Sequence, residues 1–156
     1  MKKSLPASAG GDPVIRPLIA ADFEQVVQLD TKITSVSKPE YWHNLINRYH
    51  SQSHSQFFLV SARGPAVLGF IIGEIRAWEF GSPPCGWVFT IAVDPDLRLD
   101  GIGSALFGAI CDRFRESGVG KVRTMLARDA DLVMSFFRSQ GMMGGPFIQL
   151  EKDIDL

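Results

Sequence analysis

Cysteine is nearly missing from this chain: Cys85 and Cys111 are the only two in 156 residues. That scarcity excludes a disulfide framework and a cysteine-built zinc site. Tyrosine is as rare, with Tyr41 and Tyr49 alone, so phenol chemistry can come from only two positions. Long apolar runs are absent, and no stretch approaches the roughly 20 residues that span a bilayer. The opening MKKSLPASAGGDP carries two lysines with no apolar run behind them, which is not the pattern of a secretory signal. An excess of either charge is missing as well. Sixteen Lys and Arg stand against seventeen Asp and Glu, for a net charge of −1, so no overall field draws nucleic acid or an anionic membrane. What is present is the mixture of an ordinary globular protein, 46% hydrophobic and 21% charged. The expectation is a cytoplasmic protein with a flexible arm over residues 1–12 and a single domain over 13–156, whose partner is small or local.

The apolar spacing orders the elements. Val14-Ile15 starts a short strand, and Ala20 to Asp30 repeats apolar residues at helical spacing through Phe23, Val26, Val27 and Leu29. A polar link from Thr31 to Lys38 leads to Pro39, well placed to open a second helix with Tyr41, Trp42, Leu45, Ile46 and Tyr49 on one face. Gln56 to Ala62 and Ala66 to Trp78 are strand-like runs about the Arg63-Gly64-Pro65 turn, and Gly86 to Val93 is a third. A helix from about Gly101 to Glu116 follows. Lys121 to Ala127 reads as a strand, Asp131 to Gln140 as a short helix and Phe147 to Glu151 as a last strand. Hairpins combined with one strand–helix–strand crossover predict an α/β fold with a sheet only partly parallel.

The most informative stretch is Val93-Asp94-Pro95-Asp96-Leu97-Arg98-Leu99-Asp100-Gly101-Ile102-Gly103-Ser104. It is not a P-loop, because Ser104 follows Gly103 with no lysine between them, and it is a poor dinucleotide fingerprint, because Leu106 stands at the third glycine position. It fits a pyrophosphate cradle made of backbone amides. Gly101 and Gly103 let the chain curl closely around an anion, the next helix points its positive end at the same place, and Arg98 supplies formal charge. In that geometry the Asp100 side chain turns outward.

The run Ile91-Ala92-Val93-Asp94-Pro95, then Arg98-x-x-Gly101-x-Gly103 and a helix with Leu106, resembles the acyl-CoA signature of the GNAT superfamily of N-acetyltransferases. Ile15-Arg16-Pro17 with Ala21-Asp22 is similar to the usual opening of that family, and Phe136-Phe137-Arg138-Ser139-Gln140-Gly141-Met142 to its closing motif. The resemblance implies a mixed, mainly antiparallel central sheet with a splayed strand pair and helices on both faces. It implies acetyl-CoA as cosubstrate and a primary amine as acceptor, joined by direct attack in a ternary complex, with no metal. By position, Ile91, Ala92 and Val93 receive the pantetheine arm, and amides near Ala92 stabilise the oxyanion. Arg98, Leu99, Asp100, Gly101, Ile102, Gly103 and Ser104 hold the pyrophosphate, and Ala130, Met134 and Phe137 wall the arm. Phe137 stands where the family often has a tyrosine that protonates the leaving thiolate, so the thiolate leaves unassisted or through water, or Ser135 or Tyr41 reaches it, or the step is poorly catalysed. Ala130 replaces a frequent asparagine.

The attacking amine must lose a proton. Glu74 and Glu79, at the end of the long run and in its loop, are the candidate bases, because that run is expected to pair beside Ile91 to Val93. His43, His50 and His54 lack the spacing and acidic partners of a metal site. Trp78, Phe80 and Trp87 around the Gly81-Ser82-Pro83-Pro84 loop form either an aromatic wall for the acceptor or a homodimer contact. The rival function is a CoA-binding sensor or regulatory module with little catalysis, for which the missing hydroxyl at Phe137 is the motive.

Overall fold

The computed structural model describes residues 10–50, 54–98 and 100–156, with His50 by its backbone only. Leu99, most of the N-terminal arm and the His50 imidazole therefore lie outside the described residues. The chain divides into two compact units, one ending at Met125 and one running from Leu126 to Leu156.

In the first unit, β1 (Val14–Pro17), α1 (Phe23–Thr34), α2 (Pro39–His50), β2 (Gln56–Arg63), β3 (Ala66–Arg76), β4 (Cys85–Val93), α3 (Ile102–Glu116) and β5 (Val122–Arg123) follow in order. The strands lie side by side in chain order, antiparallel from β1 to β4, and β4 pairs with β5 in parallel. This is the expected mixed sheet. The first helix begins and ends later than its apolar spacing indicated: Ala20–Asp22 is a 3-10 turn, and Thr31–Thr34 belongs to α1 until Ser35 turns left-handed at φ 61°. The expected strand from Lys121 to Ala127 shrinks to two residues.

Side-chain alternation in the strands sorts the core into two layers. Phe58, Val60, Phe70, Ile72 and Ala92 face α1 and α2, where they meet Val26, Leu29, Leu45, Ile46 and the buried Trp42, whose ring lies 5.4 Å edge-on from Phe70. The Trp42 indole is satisfied by the buried Asp30 carboxylate at 2.9 Å, which Lys38 also pairs at 3.0 Å. On the other side α3 lays Ile102, Leu106, Ile110 and Phe114 over Gly69, Gly73 and Gly86. Those glycines let the helix approach: a Cβ on Gly86 would lie 2.4 Å from the Phe114 ring.

Arg16 and Asp22 staple the start of the fold through a two-pronged ion pair at 2.7 and 2.9 Å, and the Asp22 carboxylate also accepts the Ile19 N–H. Burial pushes the Asp22 carboxyl up, but the bonds from Arg16 and Ile19 outweigh burial and hold it below its ordinary 3.8. A group depressed in this way stabilises the fold above the unfolded value and loses that contribution as pH falls through the folded one. Asp22→Asn is therefore expected to cost about 2 kcal/mol near neutrality, and urea titrations should show the gap to the wild type closing below pH 3.8.

The second unit holds α4 (Asp131–Ser139), closed by Gly141 at φ 88°, whose N–H donates to Arg138 C=O while Met142 N–H donates to Phe137 C=O. The closing motif needs its glycine for this left-handed turn. The strand expected over Phe147 to Glu151 does not form. Ile148 and Leu150 are exposed there, with no strand partner among the described residues.

Candidate active site

The end of β4 is built by a bulge. Its register with β3 runs from Gly69↔Val93 to Ile72↔Thr90, then resumes at Gly73↔Val88, leaving Phe89 as an extra residue. The extra residue shifts the alternation so that Trp87, Phe89 and Ala92 share the α1/α2 side of the sheet. At the other edge, pairing with β5 covers only Gly86↔Val122 and Trp87↔Arg123, after which the Thr124 hydroxyl donates to Val88 C=O at 2.7 Å.

From there β4 runs on without a strand on its outer side among the described residues. Asp94 N–H donates to Leu68 C=O at 2.9 Å, which makes Leu68 and Asp94 a hydrogen-bonded pair. Antiparallel alternation then directs the Ala92 backbone at Phe70, and turns the N–H and C=O of Ile91 and Val93 outward. Of the three residues expected to meet the arm, Ile91 and Val93 turn their backbone groups away from β3, whereas Ala92 spends its own on β3 and buries its methyl in the core.

The turn beyond is ordered by two acids and a lysine. Asp94 caps the 3-10 turn Pro95–Leu97 by accepting Asp96 N–H, and Lys32 of α1 bridges the Asp94 and Asp96 carboxylates at 2.7 and 3.0 Å. The Lys32 bond holds the Asp94 carboxyl below its ordinary range. Two of the three negative charges in this loop are thereby answered, and Asp100 is exposed. The Asp100 N–H is committed to Leu97 C=O at 3.2 Å, so this residue offers an anion neither amide nor charge. Gly101 takes φ 75°, and α3 starts with Ile102 and Gly103 before its first internal bond, Ala105 N–H to Gly101 C=O at 3.0 Å. The Ile102 and Gly103 amides thus lie at the positive end of a 15-residue helix with no acceptor inside it. Arg98 is exposed one step ahead, and Ser104 is exposed in the first turn.

The two candidate bases differ in surroundings. Glu74 is half-buried opposite Trp87, one pair from the bulge, and accepts a 3.4 Å bond from the Tyr49 hydroxyl of α2. Burial pushes the Tyr49 phenol well above its ordinary value, and the Glu74 charge adds to that, so Tyr49 stays a donor at all working pH values. Glu79 is exposed, with both carboxylate oxygens bound to Arg76 at 2.7 Å, and that bond holds its carboxyl low. Glu74 stands beside Trp87 rather than beside Ile91 to Val93, because the antiparallel register sets those three residues opposite Gly69 to Ile71, and the bulge moves the partner of Glu74 one further place, from Val88 to Trp87.

Of the aromatic residues singled out in the sequence, Trp87 joins this face and Trp78 and Phe80 stand apart, exposed in the loop after β3 in left-handed backbone at φ 62° and 49°. Tyr49, which donates to Glu74, tilts against Phe89 with ring centroids 6.2 Å apart. Phe89 escapes a sequence reading because the bulge that displays it leaves no compositional mark. Ala130, half-buried Met134 and buried Phe137 belong to the second unit at the start and on one face of α4. Tyr41 is exposed, stacked edge-on against Trp42 and under the Lys38 ammonium. His43 and His54 are exposed, and no metal-binding group of three His, Cys, Asp or Glu exists among the described residues.

Residues 23–142 match the acetyltransferase (GNAT) family. The chain belongs to that family. As a GNAT acetyltransferase it has the expected α/β fold, and it shares that fold with several solved structures. The aminoglycoside N-acetyltransferase AAC(6')-Iy, in complex with CoA, superposes with a TM-score of 0.82 at 14% identity, over 95% of this chain and 99% of its own. Glucosamine-6-phosphate N-acetyltransferase from Arabidopsis thaliana gives 0.71 at 17% identity, over 93% and 100%. A transcriptional regulator from Bacillus halodurans C-125 gives 0.75 at 16%, over 91% and 99%. No curated protein sequence matches this acetyltransferase.

Proposed function

We propose that this protein transfers an acetyl group from acetyl-CoA to a primary amine by direct attack, with Glu74 as the base. The observation that carries the reading is the outer edge of β4, which has no strand partner among the described residues beyond Trp87 and where Ile91 and Val93 present backbone between the bulge at Phe89 and the Gly101 turn. Amide donors follow one another along that line, from the first turn of α3 to the strand. Ile102 and Gly103, with Arg98, would bind the phosphates, and Ile91 and Val93 would hold the arm as an added strand. Acetyl-CoA, when bound, supplies an acetyl group already activated as a thioester.

The bulge end of this line is where Glu74 stands, oriented by Tyr49. There Glu74 takes the proton from the incoming ammonium group. A covalent acyl-cysteine route is disfavoured by the two thiols. Cys85 is buried, and burial pushes the half-buried Cys111 thiol up, away from the reactive thiolate.

Calorimetric titration of the protein with acetyl-CoA, followed by CoA release in a panel of amines, tests the reading. A one-site isotherm and turnover with at least one amine are expected. No heat with acetyl-CoA or CoA overturns it, and binding without release for any amine leaves the sensor, the reading that the missing hydroxyl of Phe137 favours.

A further inference from the structure

The side chains around Glu74 have a consistent chemistry. Tyr49 packs edge-on against Phe58 at 6.3 Å and tilts against Phe89 at 6.2 Å, which places aromatic carbon on the helix side of the carboxylate. Trp87 lies directly across the ladder from Glu74, its ring covered by the Arg76 guanidinium at 4.6 Å. Phe89 is pushed outward by the bulge and is 42% exposed. The exposed Phe89 ring rests on Tyr49, whose hydroxyl donates to Glu74, so an apolar ligand body stacked on Phe89 would bring its ammonium toward that carboxylate.

The charges point the same way. Both oxygens of Glu79 are bound by Arg76, so Glu79 offers little to a second cation. Arg76 is held between that carboxylate and the Trp87 ring, so the pair it forms with Glu79 is fixed beside Glu74. Gln56, opposite Glu74 on β2, is neutral. The second and third charges of a polycation find Glu79 already answered by Arg76, whereas a single ammonium needs Glu74 alone.

We propose that the acceptor is a small primary amine with one positive charge on an aromatic or similarly flat apolar body, an arylalkylamine in chemical class, with Phe89 as the residue that selects the body. This rests on the transferase reading above. It also separates the protein from a polyamine or aminoglycoside acetylase, although the fold is shared with proteins that acetylate aminoglycosides. One ring stacked on Phe89 in a desolvated site is worth about tenfold in kcat/KM.

The test measures CoA release at saturating acetyl-CoA with 2-phenylethylamine, tryptamine, n-butylamine, spermidine and neamine. The arylalkylamines are expected to exceed butylamine about tenfold in kcat/KM and to exceed spermidine and neamine by more. Phe89→Leu keeps the bulge hydrophobic, and the ratio of phenylethylamine to butylamine should fall toward one; Arg76→Gln should raise spermidine relative to phenylethylamine. A wild type that prefers spermidine or neamine, or a ratio unmoved by Phe89→Leu, overturns the proposal while leaving the transferase intact. Equilibrium dialysis of labelled 2-phenylethylamine against protein plus CoA, with spermidine as competitor, decides the matter if no amine is turned over. Retained phenylethylamine that spermidine does not displace supports the proposal, and no retention overturns it.

Discussion

Gly86→Ala lowers the melting temperature by about 6–12 °C, the shift expected for about 3 kcal/mol in a chain of this size. The added methyl would stand 2.4 to 2.6 Å from three carbons of the Phe114 ring, and Phe114 is fully buried. The ring has nowhere to turn, so α3 must lift from the sheet or β4 must sink. Gly108→Ala in the same helix has the opposite sign. Nothing lies within 4 Å of its new Cβ and its φ is not positive, so helix propensity alone acts and stability rises by about 0.5–1 kcal/mol. Thermal scans of both variants compare one chemical change in two surroundings. Phe114→Leu placed on Gly86→Ala should recover part of the loss, since it removes the clashing ring atoms; a double variant no better than either single one would show that the methyl acts through the backbone instead. A loss of acetyl-CoA affinity is expected alongside, because β4 and α3 carry the amides proposed to bind it.

Much of this was legible in the sequence for local reasons. The Gly101 turn, the helix after it and the hairpin around Gly64 are short-range features, written in residues that tolerate left-handed backbone or end a helix. The order of the strands follows from short connections. What was not legible depends on contacts between distant segments. A period of two read straight through Gly86-Trp87-Val88-Phe89-Thr90-Ile91-Ala92-Val93 puts Trp87 and Ala92 on opposite faces, and the bulge at Phe89 brings them to the same one. That single extra residue moves the partner of Glu74 by one position, from Val88 to Trp87, and so puts Trp87 on the same face as the carboxylate; Ile91 lies opposite Ile71, three residues earlier on β3. The bond from Tyr49 to Glu74 spans 25 residues, and the Lys32 bridge to Asp94 spans 62, so neither has a local signature. The strand anticipated over Phe147 to Glu151 had the right residues but does not join the sheet among the described residues, since alternation specifies a face and not a neighbouring strand.

Glu74→Gln should lower kcat by about 10²–10³-fold, within the range for losing a general base. The amide cannot take the proton from the ammonium, yet it keeps the size of the carboxylate and can still accept from Tyr49. The KM for acetyl-CoA should hardly change, because the amides proposed to bind it lie at Ile91, Val93 and the first turn of α3. Raising the pH should narrow the defect, since an acceptor already deprotonated in solution no longer needs the base. Tyr49→Phe removes the donor that orients the carboxylate and should cost about tenfold in kcat, the worth of one hydrogen bond to a charged group. Glu79→Gln separates the two carboxylates: it releases Arg76 but leaves the proposed base in place, so a loss of only a few-fold is expected. If Glu79→Gln proves the more damaging, or if the Glu74→Gln defect is as deep at high pH as at neutrality, the proton leaves by another path and Glu74 is a structural partner of Tyr49.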